Sequence, residues 1–420
     1  MLNIFAQRYL ILPILFVGAL FAVGMSGGTL EYKGDALQAK TATTSLSFAT
    51  TTLKNTPPEF VVTHIATPEP TRAAYMTSCI ASGRTLRAPL VKLVDTTELN
   101  ALVIDIKDFS GAISFETNDP AFKLNTQGCH IPDIKEFIAE LHKKNIYVIG
   151  RVTVMQDSTY TKAHPESAVK RKSDGAPWKD KKGLMFIDPG ATEYWAHMVR
   201  LGKISYDIGF DEINYDYIRF PSDGNMLDIA FLRTGSTTKA AQMNKFYTYL
   251  GREMKKAGIP ISADLFGMTT TNTDDLGIGQ VIEDALRNFD YVAPMVYPSH
   301  YPPNFNGWKD PNLVPYELIA FVMKGAVKRA DALEAMEAGF VASTNTPKFI
   351  PTGKYSKKLR PWIQDFDYGK VYTEVDVRAQ KKGTYDAGLT SWMMWDPSNK
   401  YTPSAYNRAD GTPASTTTMP

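Results

Sequence analysis

The chain has 420 residues, of which 44% are hydrophobic and 21% charged, and this composition is typical of a globular protein rather than a disordered or collagenous one. Because 46 lysines and arginines nearly balance 44 aspartates and glutamates, the net charge of +2 gives no indication of a nucleic-acid partner. Two cysteines are too few for a zinc ribbon, and the six histidines show neither HxH nor HExxH spacing. We therefore expect neither a metal centre nor another cofactor.

The N-terminal segment, residues 1–28, is predicted to be a signal peptide or a membrane anchor. Arg8 precedes an apolar run from Tyr9 to Met25 that is interrupted only by glycine and Pro13. Such a run is slightly long for the core of a signal peptide and slightly short for a membrane-spanning helix, so both alternatives stay open. Either one predicts an exported protein that is secreted or anchored to the cytoplasmic membrane.

Two low-complexity segments flank the predicted folded body. Residues 29–70 are rich in threonine, alanine, serine and proline and are predicted to form a flexible linker. Residues 406–420 have the same character and are predicted to be a disordered tail. The predicted domain therefore spans residues 71–405.

Within this domain, short apolar runs rich in β-forming residues alternate with amphipathic stretches. The eight predicted strands are 73–78, 101–108, 146–154, 211–220, 260–267, 291–298, 360–366 and 388–396. Helical spacing links Ile134 to Leu141, with Asn145 as the stop signal, and it recurs from Ile278 to Phe289. Because no Gly-rich phosphate loop follows a strand, this alternation favours a (β/α)8 TIM barrel over a doubly wound sheet.

A long segment, Met155 to Ala191, separates the third strand from its helix. Its length exceeds a normal βα connection, and it carries Trp178 followed by four charged residues, 179–182. On the C-terminal face of a barrel, this insertion between the third strand and the helix that follows it is predicted to be a lid or a substrate-binding subdomain. The alternative is a passive insertion that packs on the rim.

Several predicted strands carry charged or polar residues near their C-terminal ends, where a buried parallel strand should be apolar. The strand ends of a barrel converge on one cleft, so these groups can pair there and perform acid–base chemistry. Our leading catalytic pair is Asp216 as nucleophile or base and Asp264 as acid, with Glu212 in reserve. Any single aspartate here has the alternative role of a helix cap or loop acceptor, which fits Asp188 and Asp211 better.

Further residues on or after the same strands are predicted to bind the substrate. Aromatic faces pack against the C–H faces of sugar rings, although core packing is the alternative for each ring. The predicted substrate-binding residues are Asp105, Lys107, Arg151, Asn214, Tyr217, Arg219, Tyr297, His300, Trp362, Asp365, Trp395 and Asp396.

The two cysteines follow the first and second predicted strands. Cys79 and Cys129 map to the same face of a barrel, so a disulfide is one alternative and a pair of free thiols is the other. Of these two alternatives, free thiols are the expected state of the two cysteines. Neither cysteine has a catalytic neighbourhood, and no GxSxG motif is present.

Strings across residues 71–405 resemble a bacterial glycoside-hydrolase-like family that was first catalogued as a domain of unknown function. They include VIDIKDFSG, WKDKKGLMFIDP, GFDEINYDYIRFPSDG, PISADLFGM, YVAPMVYPSHYPP and SWMMWDPSNKYT. The resemblance implies a TIM barrel distantly similar to the alpha-amylase clan, with the strand-four nucleophile at Asp216 and the strand-five acid at Asp264. Strand five normally carries glutamate in that clan, and Asn214 stands where the clan has an arginine.

These patterns lead to three hypotheses. The first is an exported glycoside hydrolase that cleaves O-glycosidic bonds in a cell-surface or extracellular polysaccharide by a two-carboxylate mechanism. The second is a non-catalytic glycan-binding protein of the cell envelope on the same barrel. The third is a hydrolase that uses the aspartate cluster with Mg²⁺ or Ca²⁺. The expected partner is a polysaccharide or oligosaccharide, not a nucleic acid.

Overall fold

The computed structural model describes residues 60–125, 129–341 and 348–413, and in them eight parallel strands form a closed barrel. The predicted signal or anchor segment, most of the predicted linker and the end of the tail lie outside the described residues. The barrel strands are β1 Arg72–Met76, β2 Ala101–Lys107, β3 Tyr147–Thr153, β4 Glu212–Asp216, β5 Ile261–Phe266, β6 Tyr291–Met295, β7 Trp362–Gln364 and β8 Trp392–Trp395. Each strand pairs with the next along the chain, and β8 closes the barrel on β1. The predicted TIM barrel is therefore confirmed.

Helices follow the strands and pack around the barrel. They are α1 Ser78–Ala81, α2 Arg84–Thr96, α3 Ile134–Lys143, α4 Ser158–Ala163, α5 Thr192–Asp207, α6 Lys239–Lys256, α7 Ile282–Asn288, α8 Pro315–Glu337 and α9 Glu374–Asp386. Helix α3 ends where the sequence predicts, because Asn145 takes the left-handed backbone with φ of 56°. Helix α7 begins later than predicted, since Gly277 and Gly279 hold the preceding segment in a turn with φ of 65° and 83°.

Strand β4 is shorter than predicted. It ends at Asp216 because Tyr217 has a φ of 53°, and a left-handed residue cannot continue a strand. Tyr217 and Arg219 therefore lie in the loop that follows β4. Strands β7 and β8 are also shorter than predicted.

Alternate side chains of each strand point to opposite sides of the barrel wall. The larger apolar cluster lies between the strands and the helices, and a smaller one fills the barrel interior. The interior cluster consists of Ala73, Tyr75, Ala101, Val103, Tyr147, Ile149, Ala293, Tyr297, Trp362 and Met393. On β4 the same alternation sends Glu212, Asn214 and Asp216 to one side.

Residues 60–70, the end of the predicted linker, lie against the barrel near the N-terminal ends of its strands. Ile65 packs against the interior cluster, and its backbone N–H donates to Asp211 Oδ1 at 2.8 Å. Asp211 Oδ2 lies 2.9 Å from His142 Nε2, and the Thr67 hydroxyl lies 2.9 Å from that of Tyr147. Asp211 thus has a structural role, as its position at the start of a strand suggests.

The predicted insertion after β3, Met155 to Ala191, packs on the C-terminal rim. Its Trp178 is buried and donates from Nε1 to the carbonyl oxygen of Asn225 at 3.0 Å. A short strand, Lys170–Arg171, pairs antiparallel with Ile229–Ala230 from the connection after β4. Asp188 Oδ1 accepts a hydrogen bond from Thr234 N at 3.0 Å, so it ties the insertion to the same connection. A lid function of this segment stays a prediction.

A disulfide joins Cys79 in α1 to Cys129 in the connection after β2. The two cysteines come from neighbouring βα connections, as their shared barrel face suggests. The preference for free thiols is therefore wrong. In the described part of the chain, no helix is both long and apolar enough to cross a membrane.

Candidate active site

Arg151 is the centre of a buried group of charged residues at the C-terminal ends of β2 to β5. It projects from β3 and donates from Nη1 to Asp105 Oδ1 at 2.7 Å and from Nη2 to Asp216 Oδ2 at 2.5 Å. Its Nε lies 3.9 Å from Asp264 Oδ2. We call these four residues, Asp105, Arg151, Asp216 and Asp264, the acid cluster. The sequence predicted that all four would share one cleft.

Arg151 stays positively charged in this position. Burial lowers the pKa of its guanidinium, but the negative charges of Asp216 and Asp105 outweigh burial and raise that pKa well above its ordinary value. A permanent cation in a direct hydrogen bond favours the ionised form of a carboxyl group. Asp216 therefore faces a permanently cationic guanidinium in a direct, buried hydrogen bond.

Asp216 is also fixed by its own backbone. The N–H of Tyr217 donates to Asp216 Oδ1 at 2.5 Å, and Tyr217 has the left-handed φ of 53°. A non-glycine residue in this region costs free energy, and such residues occur preferentially at functional sites. Both oxygens of Asp216 thus accept a hydrogen bond that sets the orientation of the carboxylate.

Asp264 is in a different environment, although it lies near the same guanidinium. It is 1% exposed, and its Oδ1 accepts hydrogen bonds from Asn214 Nδ2 at 2.9 Å and from Trp362 Nε1 at 2.8 Å. Burial, followed by the negative charge of Asp216, raises the pKa of Asp264 to about 8. Burial therefore favours the neutral, protonated form of Asp264.

The hydrogen bonds of Asp264 indicate which oxygen carries the proton. Oδ1 already accepts from Asn214 and Trp362, while Oδ2 accepts from none of the residues that the structure describes. A protonated carboxyl group has one O–H donor, and an oxygen that accepts two hydrogen bonds is poorly placed to carry it. We therefore assign the proton to Oδ2. Asn214 and Trp362 are fully buried and act on the site by orienting Asp264.

Tyr75 on β1, which was not among the predicted site residues, hydrogen-bonds to the acid cluster. Its hydroxyl donates to Asp105 Oδ2 at 2.5 Å, opposite the contact between Asp105 and Arg151. The pKa values of Tyr75 and Asp105 are both raised, and burial is the largest cause of each shift. Period-two alternation along β1 places Tyr75 on the same face as Ala73, and this signal could have identified it.

Aromatic side chains form one side of the acid cluster. Trp395 stacks on Tyr75 with ring centroids 3.9 Å apart, and it meets the Trp362 ring edge-on at 5.4 Å. The Arg151 guanidinium carbon lies 5.2 Å from the Trp395 ring centroid. The Tyr297 ring lies 6.5 Å from that of Trp395, and we call Tyr75, Trp395 and Tyr297 the aromatic wall.

The aromatic wall continues outward to the protein surface. The Tyr297 ring contacts His300 at 5.4 Å and Phe366 at 5.7 Å, and His300 contacts Tyr368 at 5.7 Å. Tyr368 is 49% exposed. Neither Tyr368 nor Phe366 was among the predicted substrate-binding residues. Tyr297, His300 and Trp395, which the sequence predicted to lie in the cleft, are thus brought together.

Arg219 lies in the loop after β4, next to Tyr217. Its guanidinium carbon is 5.0 Å from the Tyr217 ring centroid and 4.7 Å from that of Phe266 on β5. The structure therefore places both Tyr217 and Arg219 beside the acid cluster, at the ends of β4 and β5.

Lys107 is not brought to the acid cluster. The pairing register of β2 and β3 shifts between Asp105 and Lys107, and such a bulge turns the later side chain away from the expected face. Lys107 Nζ lies 3.0 Å from Asp157 Oδ2 and donates to the carbonyl oxygen of Thr153 at 2.6 Å. Since Asp157 also caps α4, this buried ion pair anchors the start of the insertion after β3.

Asp365 and Asp396 also lie outside the acid cluster. Asp365 accepts hydrogen bonds from Thr402 N at 2.8 Å and from the Tyr406 hydroxyl at 3.0 Å, so it holds the segment after β8. Asp396 Oδ1 accepts from Ser398 N at 2.6 Å within the turn that it starts. Both act as loop acceptors, the alternative role of a strand-terminal aspartate.

Glu212, the reserve catalytic residue, lies at the opposite end of β4 from Asp216. Its Oε2 accepts hydrogen bonds from Arg360 Nη2 at 2.8 Å and from the Tyr147 hydroxyl at 3.1 Å. It is fully buried in this ion pair. Its position near the start of the strand separates it from the acid cluster and indicates a structural role.

Metal binding was the third hypothesis. In the three described ranges, no three or more histidine, cysteine, aspartate or glutamate side chains are arranged to hold a metal ion. Asp105 and Asp216 instead hydrogen-bond to Arg151. The described residues therefore do not form a recognisable divalent-cation site.

Comparisons with known proteins agree with the barrel and with the sequence motifs. A family model described as "Putative glycosyl hydrolase domain" matches residues 73–401. The glycoside hydrolase domain of PgaB (BpsB) from Bordetella bronchiseptica is 11% identical, with 81% of this chain and 99% of that chain covered at a TM-score of 0.55. At this identity the likeness shows a shared fold.

Two further solved structures resemble the chain. A hypothetical protein from Ruminiclostridium thermocellum ATCC 27405 is 29% identical, with 49% of this chain and 98% of that chain covered at a TM-score of 0.41. Alpha-L-fucosidase isoenzyme 2 from Paenibacillus thiaminolyticus is 10% identical, with 78% and 46% covered at a TM-score of 0.49. No curated protein sequence matches the chain.

Proposed function

From the membership of this chain in the glycosyl hydrolase family that matches residues 73–401, we propose that it cleaves O-glycosidic bonds in a polysaccharide by a two-carboxylate mechanism. The observation that carries the proposal is the difference between the two acids of the acid cluster. Burial favours the protonated form of Asp264, whereas Asp216 is bound directly by the cationic guanidinium of Arg151. A glycosidase needs one carboxyl group in each of these states.

Asp264 is the proton donor in this mechanism. Its Oδ2–H protonates the glycosidic oxygen of the leaving sugar, so that the C–O bond breaks without releasing an alkoxide. Trp362 and Asn214 keep the other oxygen occupied and the carboxyl plane fixed. These two residues are positioning residues, because they act on the substrate through Asp264.

Asp216 is the partner that stays ionised. It acts at the anomeric carbon, either as the nucleophile that forms a glycosyl ester or as the base that activates a water molecule. Arg151 and the Tyr217 N–H restrain its two oxygens. Asp105 accepts a hydrogen bond from the other terminal nitrogen of Arg151, Nη1, and one from the Tyr75 hydroxyl.

The aromatic wall is proposed to hold the sugar beside these acids. Trp395 is partly exposed while Tyr75 lies buried beneath it, so one face of a rigid stacked pair is available. Indole faces pack well against the C–H face of a pyranose. His300, Phe366 and Tyr368 extend this surface outward, which suits a chain of several sugars.

Action outside the cytoplasm is part of the proposal. The apolar N-terminal run supports export, and the Cys79–Cys129 disulfide is of a kind that persists in oxidising compartments. A cell-surface or extracellular polysaccharide is therefore the proposed substrate. A fusion of residues 1–59 to alkaline phosphatase tests this step, since phosphatase activity appears only after export, and an inactive fusion would contradict it.

The activity is tested by incubating the full chain with a panel of polysaccharides and measuring new reducing ends. We expect release by the wild type and none by Asp216→Asn, which removes the ionised carboxylate but keeps a similar shape. Binding of a glycan without any turnover would support the non-catalytic alternative instead. Equal release by both proteins would contradict the role of Asp216.

A further inference from the structure

Arg219 is a second buried arginine beside the acid cluster, and the proposed mechanism gives it no role. It is 8% exposed and lies between the rings of Tyr217 and Phe266, at 5.0 and 4.7 Å from their centroids. Tyr217 directly follows Asp216, and Phe266 follows Asp264 by two residues on the same face of β5. Arg219 therefore contacts residues that follow each of the two proposed catalytic acids, and Asp216 acts on its charge.

The hydrogen bonds of Arg219 leave most of its guanidinium unused. Nη1 donates to the carbonyl oxygen of Phe220 at 3.0 Å and to the Ser222 hydroxyl at 3.2 Å. Within the described ranges, Nε and Nη2 donate to no residue, and no carboxylate forms a salt bridge with Arg219. Arg151, on the neighbouring strand β3, differs because it binds two carboxylates directly.

The charge of Arg219 is poorly compensated. Burial lowers the pKa of its guanidinium, although Tyr217, Asp216, Asp223 and Asp180 act in the opposite direction. Burying a cation without a counter-ion is unfavourable, and an anionic ligand would supply the missing charge. The guanidinium also lies within cation–π distance of both rings, which leave its remaining N–H groups free to donate.

We infer that Arg219 binds an anionic group of the glycan, a carboxylate or a phosphate, in a subsite beside Asp216 and Asp264. The inference rests on the proposed function, because it concerns the sugar that occupies the same site. A planar guanidinium with two free donors matches the paired oxygens of such groups, whereas a neutral hydroxyl cannot supply a counter-charge. The substrate class is therefore an acidic polysaccharide.

The test measures binding of the full chain to a glycan array that contains neutral, carboxylated and phosphorylated members. The variants are Arg219→Gln, which removes the charge but keeps a polar side chain, and Arg219→Lys, which keeps the charge without the planar fork. Arg252→Gln is the matched control, because Arg252 also lies over a tyrosine, Tyr249, but is exposed on α6. Thermal unfolding of each variant checks that it is folded.

We expect the wild type to bind acidic glycans and Arg219→Gln to bind them at least tenfold more weakly, with Arg219→Lys intermediate and Arg252→Gln unchanged. Preference for carboxylated or for phosphorylated members identifies the anionic group. Unchanged affinity in Arg219→Gln would overturn the inference, and so would a wild type that binds no acidic glycan. If that wild type still cleaves a neutral glycan, the proposed hydrolase function stands without the acidic subsite.

Discussion

Arg151 donates to Asp216 at 2.5 Å, and both side chains are buried at the C-terminal ends of neighbouring strands. This contact makes the two acids of the site unequal, because Asp216, unlike Asp264, accepts a hydrogen bond from the guanidinium. Asp264 lies 3.9 Å from Nε of the same guanidinium, beyond hydrogen-bond distance, and burial decides its protonation. One arginine thus separates the roles of two aspartates.

Replacement of Arg151 tests this separation. Arg151→Met leaves Asp105 and Asp216 buried without their cation, so we expect a loss of about 3–5 kcal/mol in the free energy of unfolding at pH 7. Arg151→Lys keeps one charge but cannot reach both carboxylates in the same geometry, so a smaller loss is expected. Urea unfolding measures both values. A fully stable Arg151→Met would show that the two carboxylates do not depend on this guanidinium.

The pKa of Asp264 predicts the alkaline limit of activity. Since the proton donor must be protonated and its pKa is raised to about 8, we expect kcat/KM to fall as the pH rises through about 8. A pH–rate profile on a glycan that the wild type cleaves measures this limb. A plateau that extends past pH 10 would be incompatible with Asp264 as the donor.

The same pKa predicts a pH-dependent contribution to stability. The folded chain keeps the Asp264 proton up to about pH 8, whereas the unfolded chain loses it near pH 4. The contribution of Asp264 is therefore complete below about pH 4 and is lost as the pH rises through 8. We expect the stability of the wild type, measured relative to Asp264→Asn, to decrease over that range in urea unfolding. A constant difference would contradict the raised pKa.

Trp395 tests the aromatic wall. We expect Trp395→Leu to raise KM about three- to tenfold with kcat little changed, because a stacked aromatic contact contributes about 0.5–1.5 kcal/mol. Trp392→Leu is the control, since Trp392 is fully buried on the other face of β8. It should lower stability without raising KM. Equal KM values in the two variants would contradict a role of Trp395 in binding the sugar.

Lys107 separates a structural role from a binding role. Its buried ion pair with Asp157 predicts that Lys107→Met costs about 3–5 kcal/mol in the free energy of unfolding, while KM stays unchanged at temperatures where the variant is folded. The double variant Lys107→Met/Asp157→Asn should recover part of the loss, because it leaves no unpaired charge. A raised KM with full stability would instead support the substrate-binding role that the sequence suggested.

The barrel was predictable because its signal repeats along the chain. Eight apolar strands alternate with amphipathic stretches, and each repetition strengthens the same conclusion. Strand ends were less predictable, since they depend on single residues. Tyr217 belongs to a β-forming run, and its left-handed backbone is set by the surrounding site rather than by its own preference.

The acid cluster was predictable for a similar reason. A charged residue in a strand buried on both faces needs a partner, and the strand ends of a barrel bring such partners together. The position of Lys107 was not predictable in this way, because one bulge reverses the side of the strand to which a side chain points. The contacts of Asp365 and Asp396 were not predictable either, because they depend on the loop conformation beyond the strand. Tyr75 was missed because its ring fits an ordinary strand core, and only the period-two alternation of β1 places it on the interior face.

The role of Asp264 as proton donor is tested most directly by comparing glycosides with poor and good leaving groups. A good leaving group, such as dinitrophenolate, departs without a proton, whereas a sugar alkoxide needs one. We predict that Asp264→Asn loses about 10²- to 10⁴-fold in kcat/KM on the natural glycosidic bond but keeps most of its activity on the dinitrophenyl glycoside of the same sugar. An equal loss on both substrates, with the variant folded, would contradict the assignment.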